Sequence, residues 1–193
     1  MERILIVSSS QKAAETFSSF LVSQSFSKPV CIRSGSEGRR LLVDNKFALI
    51  LVAAPLTDEF GNEFAKAAAQ STAGVILVVR TDMTEAFSEK MRRDGVLVLP
   101  SAVNRSLFLG SVGAMLTVYH RLEAVAPQTE KLQNKIQEIR MVDRAKCLLI
   151  QYSGINEQQA HRYIEKEAMN RRITRGEVAK EVIASYEDPG ELF

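Results

Sequence analysis

With two cysteines and two histidines in 193 residues, the chain has little material for redox, metal or Cys/His chemistry. Cys31 and Cys147 lie far apart, as do His120 and His161, and none shows the short spacing of a metal-ligand set or a redox pair. No disulfide scaffold, metal site, bound cofactor or Cys/His nucleophile is expected. Only 5 prolines and 10 glycines set the chain apart from collagen-like and disordered sequences. No apolar run approaches the roughly 20 residues that cross a bilayer, and the first ten residues carry an acid and a base without a long apolar stretch. A cytoplasmic protein without membrane attachment is therefore expected. No acid/base pair or nucleophile–base constellation stands out, so no enzyme is expected either.

What is present is the composition of an ordinary packed protein, 46% hydrophobic and 25% charged. The net charge is only +2, but Lys131 to Tyr186 holds 11 Lys/Arg against 7 Asp/Glu. The basic surplus towards the C-terminal end permits a polyanionic partner without requiring one.

Five short apolar, β-branched runs punctuate the first part: Ile4 to Val7, Pro29 to Ile32, Phe47 to Val52, Val75 to Val79 and Val96 to Leu99. They are continuous rather than alternating, which is the pattern of strands buried on both faces of a parallel sheet. Amphipathic stretches such as Ala13 to Leu21, Glu63 to Ala69 and Thr84 to Met91 lie between them as crossover helices. An α/β doubly wound (βα)5 domain over 1–124 is predicted, followed by an all-α region over 125–193. A fifth helix should run from Asn104 to Glu123, with Phe108, Val112, Met115, Tyr119 and Leu122 spaced as either a coiled-coil seam or the core face of a crossover helix. Pro127 should then end that pattern and start a new helix carrying Leu132, Ile136 and Ile139.

After Pro127 there are no strand signals. A long helix over Lys131 to Gln151 should stop at Ser153-Gly154, with Gly154 in the left-handed conformation. Asn156 with Gln159, and Thr174 with Glu177, form two capping boxes; Ile155 with Ala160, and Ile173 with Val178, form two hydrophobic staples. Helices over about Glu157 to Met169 and Arg175 to Tyr186 follow, giving a three-helix unit with a long first helix.

The five βα units, with Ile4-Leu-Ile-Val7 at the first strand and Ala54-Pro55-Leu56 followed by Gly61 after the third, resemble the receiver domain of bacterial response regulators. The resemblance implies an acidic pair after the first strand for Mg²⁺, an acceptor aspartate ending the third, a hydroxyl ending the fourth and a lysine after the fifth. Here Ser8 and Ser9 replace the acidic pair, and the acceptor position falls on Leu51, Val52 or Ala53. Val79 or Arg80 stands at the hydroxyl position, with Thr81 next, and Ser101 replaces the lysine. Asp58 is the nearest carboxylate but lies beyond the strand. A pseudo-receiver that lost phosphorylation is expected, its input coming from dimerisation, a regulatory protein or a ligand. Ser8-Ser9-Ser10 before a helix could alternatively cradle a phosphate, although three serines in a turn are more commonly caps.

The tail carries Lys131-Leu-Gln, Val142-Asp-Arg-Ala-Lys-Cys-Leu-Leu-Ile-Gln151, Gly154-Ile-Asn-Glu-Gln-Gln-Ala160, Ala168-Met169, Asn170-Arg171-Arg172 and Val178-Ala179. These motifs, in this order, resemble the ANTAR domain. The resemblance implies a three-helix RNA-binding module of transcription antitermination regulators, which reads an mRNA leader with two small hairpins as a homodimer. Ala145 and Lys146 carry over from the family motif. Charge position adds Arg144, Arg162, Tyr163, Arg171, Arg172 and Thr174 as RNA-contact candidates. Ala145, Leu148, Ala160, Ala168, Met169 and Ala179 are expected to be core residues, while Arg144, Lys146 and Arg162 could equally be solvated charges. A DNA-binding response regulator and a protein-interaction scaffold are the competing functions. The third helix offers only Arg175 and Lys180 among Glu177, Glu181 and apolar residues, which disfavours DNA.

Overall fold

The computed structural model describes residues 2–22, 26 and 28–187; the extreme ends of the two expected domains lie outside them. The chain divides into two compact units, Met1–Ala126 and Pro127–Phe193.

In the first unit, β1 (Ile4–Ser8), β2 (Val30–Ile32), β3 (Leu49–Ala53), β4 (Gly74–Val79) and β5 (Val96–Pro100) form one sheet in the order β2-β1-β3-β4-β5. Every neighbouring pair is parallel. The continuous apolar runs are explained by burial on both faces. Leu5, Val7, Ile50 and Val52 point into one core, with Phe64 and Met91. Ile4, Ile6, Leu49 and Leu51 point into the other, with Phe17, Leu21 and Phe108. Thus α2 (Gly35–Asp44), α3 (Asn62–Ala68) and α4 (Thr84–Met91) cover one face, while α1 (Gln11–Val22) and the start of α5 (Arg105–Ser153) cover the other. Gly74 is required where β4 meets α5, because a Cβ there would stand 2.6 Å from the Met115 carbonyl oxygen.

For α5 the structure decides between the two open readings of one stripe and corrects the expectation at Pro127. Phe108, Val112 and Met115 do not form an external seam: they are buried against the sheet, with Tyr119 packed at their edge. Pro127 does not start a new helix either, since α5 continues through it for 49 residues. An interior proline loses one hydrogen bond and crowds the preceding turn, at a cost of about 3 kcal/mol. Pro127 is exposed, so water can satisfy the freed carbonyl.

In the second unit, α5 ends at Ser153, and Gly154 takes a left-handed φ of 67°. The helix α6 (Glu157–Arg171) begins with the Asn156/Gln159 capping box, and α7 (Arg175–Glu187) begins with Thr174 and Glu177 bonded reciprocally. Ala145, Leu149, Ala160, Ile164, Ala168, Val178, Ala179 and Val182 form the core, sealed by both staple residues Ile155 and Ile173. Three alanines, Ala145, Ala160 and Ala179, are completely inaccessible, which marks close helix approach. Met169 was expected in this core but is 79% exposed. Ala160, Ile164 and Ala168 recur every four residues, and one residue past Ala168 turns about 100° away from that stripe.

Candidate nucleic-acid interface

The carboxyl ends of the strands form the first unit's natural ligand edge. Ser8 ends β1 in register with Ala53, which ends β3, so the residues facing each other across the switch point carry no charge. The buried Ser8 hydroxyl donates to the Ser10 carbonyl at 3.0 Å. Ser9 Oγ donates to the Pro55 carbonyl at 2.5 Å, and Arg33 donates to the Ser9 carbonyl at 3.0 Å. Ser10 Oγ accepts the Ala13 amide, capping α1. Ser101 is exposed, and its amide donates to the Val79 carbonyl. Arg80 is paired with Asp82. Among the described residues, no group of three acidic, His or Cys side chains could hold a metal ion.

Asp58 has a different task. Its carboxylate accepts the amides of Gly35 and Ser36 at 2.8 and 2.9 Å, closing the N-terminus of α2 alongside the Ser34 cap. Those backbone donors lower its pKa from 3.8 to about 2. Glu59 beside it holds Arg39, so the β3–α3 loop is fastened to α2. Because the folded pKa is depressed, the stabilisation is complete above about pH 5 and is lost as the pH falls towards 2. An acid titration followed by circular dichroism should show Asp58→Asn less stable than the wild type at pH 7, the two curves converging below pH 3.

In the second unit, the candidate residues from the sequence fall on separate flanks. Arg144 and Lys146 are two residues apart, about 200° around the helix, and cannot share one face of α5. Lys146 is largely covered, pairing with Asp143 at 2.8 Å and Glu157 at 3.5 Å, and Asp143 above all raises its pKa. Arg144 is exposed. On α6, Tyr163 (46% exposed), Glu167 and Arg171 share one flank at four-residue spacing. Arg171 makes a two-pronged pair with Glu181 of α7. Arg162, one position on from His161, faces outward.

Thr174 is committed to the cap of α7: its hydroxyl donates to Glu177 at 2.9 Å and accepts the Glu177 amide at 3.2 Å. Backbone and hydroxyl donors from Thr174 lower the Glu177 pKa. Arg172 ends α6 with φ 53° and ψ 41°, the left-handed conformation that ordinarily favours glycine. The Ile173 amide returns to the Ala168 carbonyl at 3.1 Å and closes the turn.

Exposed apolar positions recur along α5 within each unit, Val118, Leu122 and Val125 in the first and Leu132, Ile136 and Ile139 in the second. The spacing in the sequence singles out Leu122, Leu132, Ile136 and Ile139 but not Val118 or Val125.

Residues 130–183 match the ANTAR domain family. These residues hold the end of α5, all of α6 and most of α7, the same three helices that build the second core. The chain is also 38% identical over 58 residues to the aliphatic amidase regulator of Pseudomonas aeruginosa, a match spanning 30% of either protein. The remainder resembles solved receivers. One is the signal receiver domain of an HD domain-containing protein from Pseudomonas fluorescens (TM-score 0.57, 16% identity, 64% of this chain and 92% of that one). Another is a CheY-like receiver domain protein from Methanospirillum hungatei (TM-score 0.54, 20% identity, 63% and 98%). The first unit therefore has the receiver fold. No helix among the described residues is long and apolar enough to cross a membrane.

Proposed function

We propose that this protein is a transcription antitermination regulator that binds a two-hairpin mRNA leader as a homodimer joined through α5. The observation that carries the proposal is the ANTAR domain at residues 130–183. The aliphatic amidase regulator, similar over 30% of its length, supports the regulatory class. The reading is of a binding protein, not an enzyme, and its place is the cytoplasm, where nascent transcripts are.

The exposed stripe of Leu132, Ile136 and Ile139 in the second unit supplies the dimer seam. Two heads held on one coil suit two loops on one RNA, because the second contact becomes intramolecular. The contacts are assigned to Arg144, Lys146, Arg162, Tyr163, Arg171 and Arg172, with Thr174 ordering the bend by capping α7. Arg172 has the strongest individual argument. A non-glycine residue in the left-handed region costs about 1 kcal/mol, so keeping a side chain there favours a task for its guanidinium. Arg172→Gly should raise the head's stability by about 1 kcal/mol in thermal melts while weakening RNA binding.

The receiver unit is proposed to work without phosphorylation. Ala53 has no carboxylate to form an acyl phosphate, and Asp58 is engaged with two backbone amides. Incubation with acetyl phosphate and Mg²⁺ should leave the intact mass unchanged; an 80 Da increase would contradict this part of the proposal. Input is assigned to a regulatory protein or ligand at the Ser8, Ser9 and Ser101 end of the sheet.

The function is tested by titrating the protein into a labelled two-hairpin RNA and a matched DNA at two salt concentrations. Salt-sensitive binding to RNA alone is expected. Equal or stronger binding to DNA, or binding to neither, would overturn it.

A further inference from the structure

The receiver fold implies a divalent cation held by carboxylates at the carboxyl edge of the sheet. The residues present at that edge do not fit one. Ser8 commits its hydroxyl to the Ser10 carbonyl and Ser9 to the Pro55 carbonyl, while Ala53 offers no side-chain oxygen. Asp58 and Glu59, the carboxylates of the β3–α3 loop, are engaged by α2. The charged group that does reach the β1–α1 loop is a cation of the protein itself. Ile32 is in register with Val7, which brings Arg33, the next residue, level with the end of β1. Its guanidinium donates to the Ser9 carbonyl at 3.0 Å, and no carboxylate among the described residues pairs with it.

Arg33 also closes a ring of three loops. Its side chain joins the β2–α2 loop to the β1–α1 loop at Ser9, and Ser9 Oγ joins that loop to the β3–α3 loop at the Pro55 carbonyl. Thr57 then returns from the β3–α3 loop to the Arg33 carbonyl, donating its amide at 3.2 Å and its hydroxyl at 3.1 Å. Asp58 doubles this last link through the amides of Gly35 and Ser36. Each loop is thus held by the other two, and in such a network each bond fixes the geometry for the next.

We infer that Arg33 takes the place of the cation as the tie between these loops, so that the edge is a closed clasp needing neither metal nor phosphoryl group. A regulatory partner would meet a preformed surface there. The guanidinium suits the task because it is always charged and its donors are directional. Its fixed positive charge at the Ser9 carbonyl also opposes the approach of a metal ion to the same edge.

The clasp goes beyond the phosphorylation-free reading and fails separately from it: acetyl phosphate tests acyl transfer, whereas melting and amide exchange test the clasp. The full-length protein is melted in EDTA and in excess MgCl₂, and hydrogen exchange is followed by mass spectrometry for the wild type, Arg33→Ala and Ser9→Ala. The wild-type melt should be the same with and without Mg²⁺. Arg33→Ala should exchange roughly tenfold faster, the scale of one lost charge-assisted hydrogen bond, in all three loops, while β4 and the second unit keep wild-type protection. Ser9→Ala breaks a different link and leaves the Ser9 carbonyl in place, yet it should loosen the same three loops. A rise in the wild-type melting temperature with Mg²⁺ would show that the edge holds a cation and overturn the proposal. Faster exchange confined to the β2–α2 loop in Arg33→Ala, or no change at all, would show that the loops are independent and that there is no clasp.

Discussion

Leu132→Glu combined with Ile136→Glu should convert the protein from dimer to monomer in light scattering. Its affinity for a two-hairpin RNA should fall about 100-fold or more, to the level of a single hairpin. Leu132 is 63% exposed and Ile136 50% exposed in the single chain, and neither belongs to the core of either unit. Glutamates at these positions leave the folded chain undisturbed and act only where a second copy would cover them. Two facing carboxylates in an apolar seam are strongly unfavourable, because a buried charge without a partner loses its hydration and gains nothing. Binding to a single hairpin should be unchanged, which separates loss of avidity from damage to the head. A double variant that stays dimeric would place the interface elsewhere.

Phe108→Ala carries the largest expected effect on stability, a loss of about 3–5 kcal/mol. The ring is fully buried in the core between α1, α5 and the sheet, with its centroid 5.0 Å from Phe17 and 5.8 Å from Phe20. Removing it deletes two aromatic contacts and opens a cavity that the rigid sheet cannot close. A thermal melt should show the receiver unit unfolding well before the wild type. An unchanged melt would mean that α5 is not anchored to the sheet through this ring.

The fold was largely legible in the chain because its signals are local. Continuous apolar runs of strand length such as Phe47 to Val52 read as doubly buried strands, and Asn156 with Gln159 and Thr174 with Glu177 define helix starts through atoms three residues apart. Assigning Phe108 and Val112 to core or seam was not possible from spacing, since heptad and crossover periodicities coincide over two turns. The task of Asp58 was hidden because its partners, Gly35 and Ser36, lie more than twenty residues earlier. Motif and charge singled out Lys146 but not His161 or Arg175, which both face Glu165. Their meeting depends on how the three helices cross, and a lone histidine in an otherwise ordinary helix gives no sequence signal of its own.

The most direct test of the central claim is the mass of the complex formed with one two-hairpin RNA, measured beside the affinities for that RNA and for each hairpin alone. Two protein chains on one RNA, bound far more tightly than either single hairpin, is the expected result. A single chain on the RNA, or no gain from the second hairpin, would contradict a dimeric reader of paired loops.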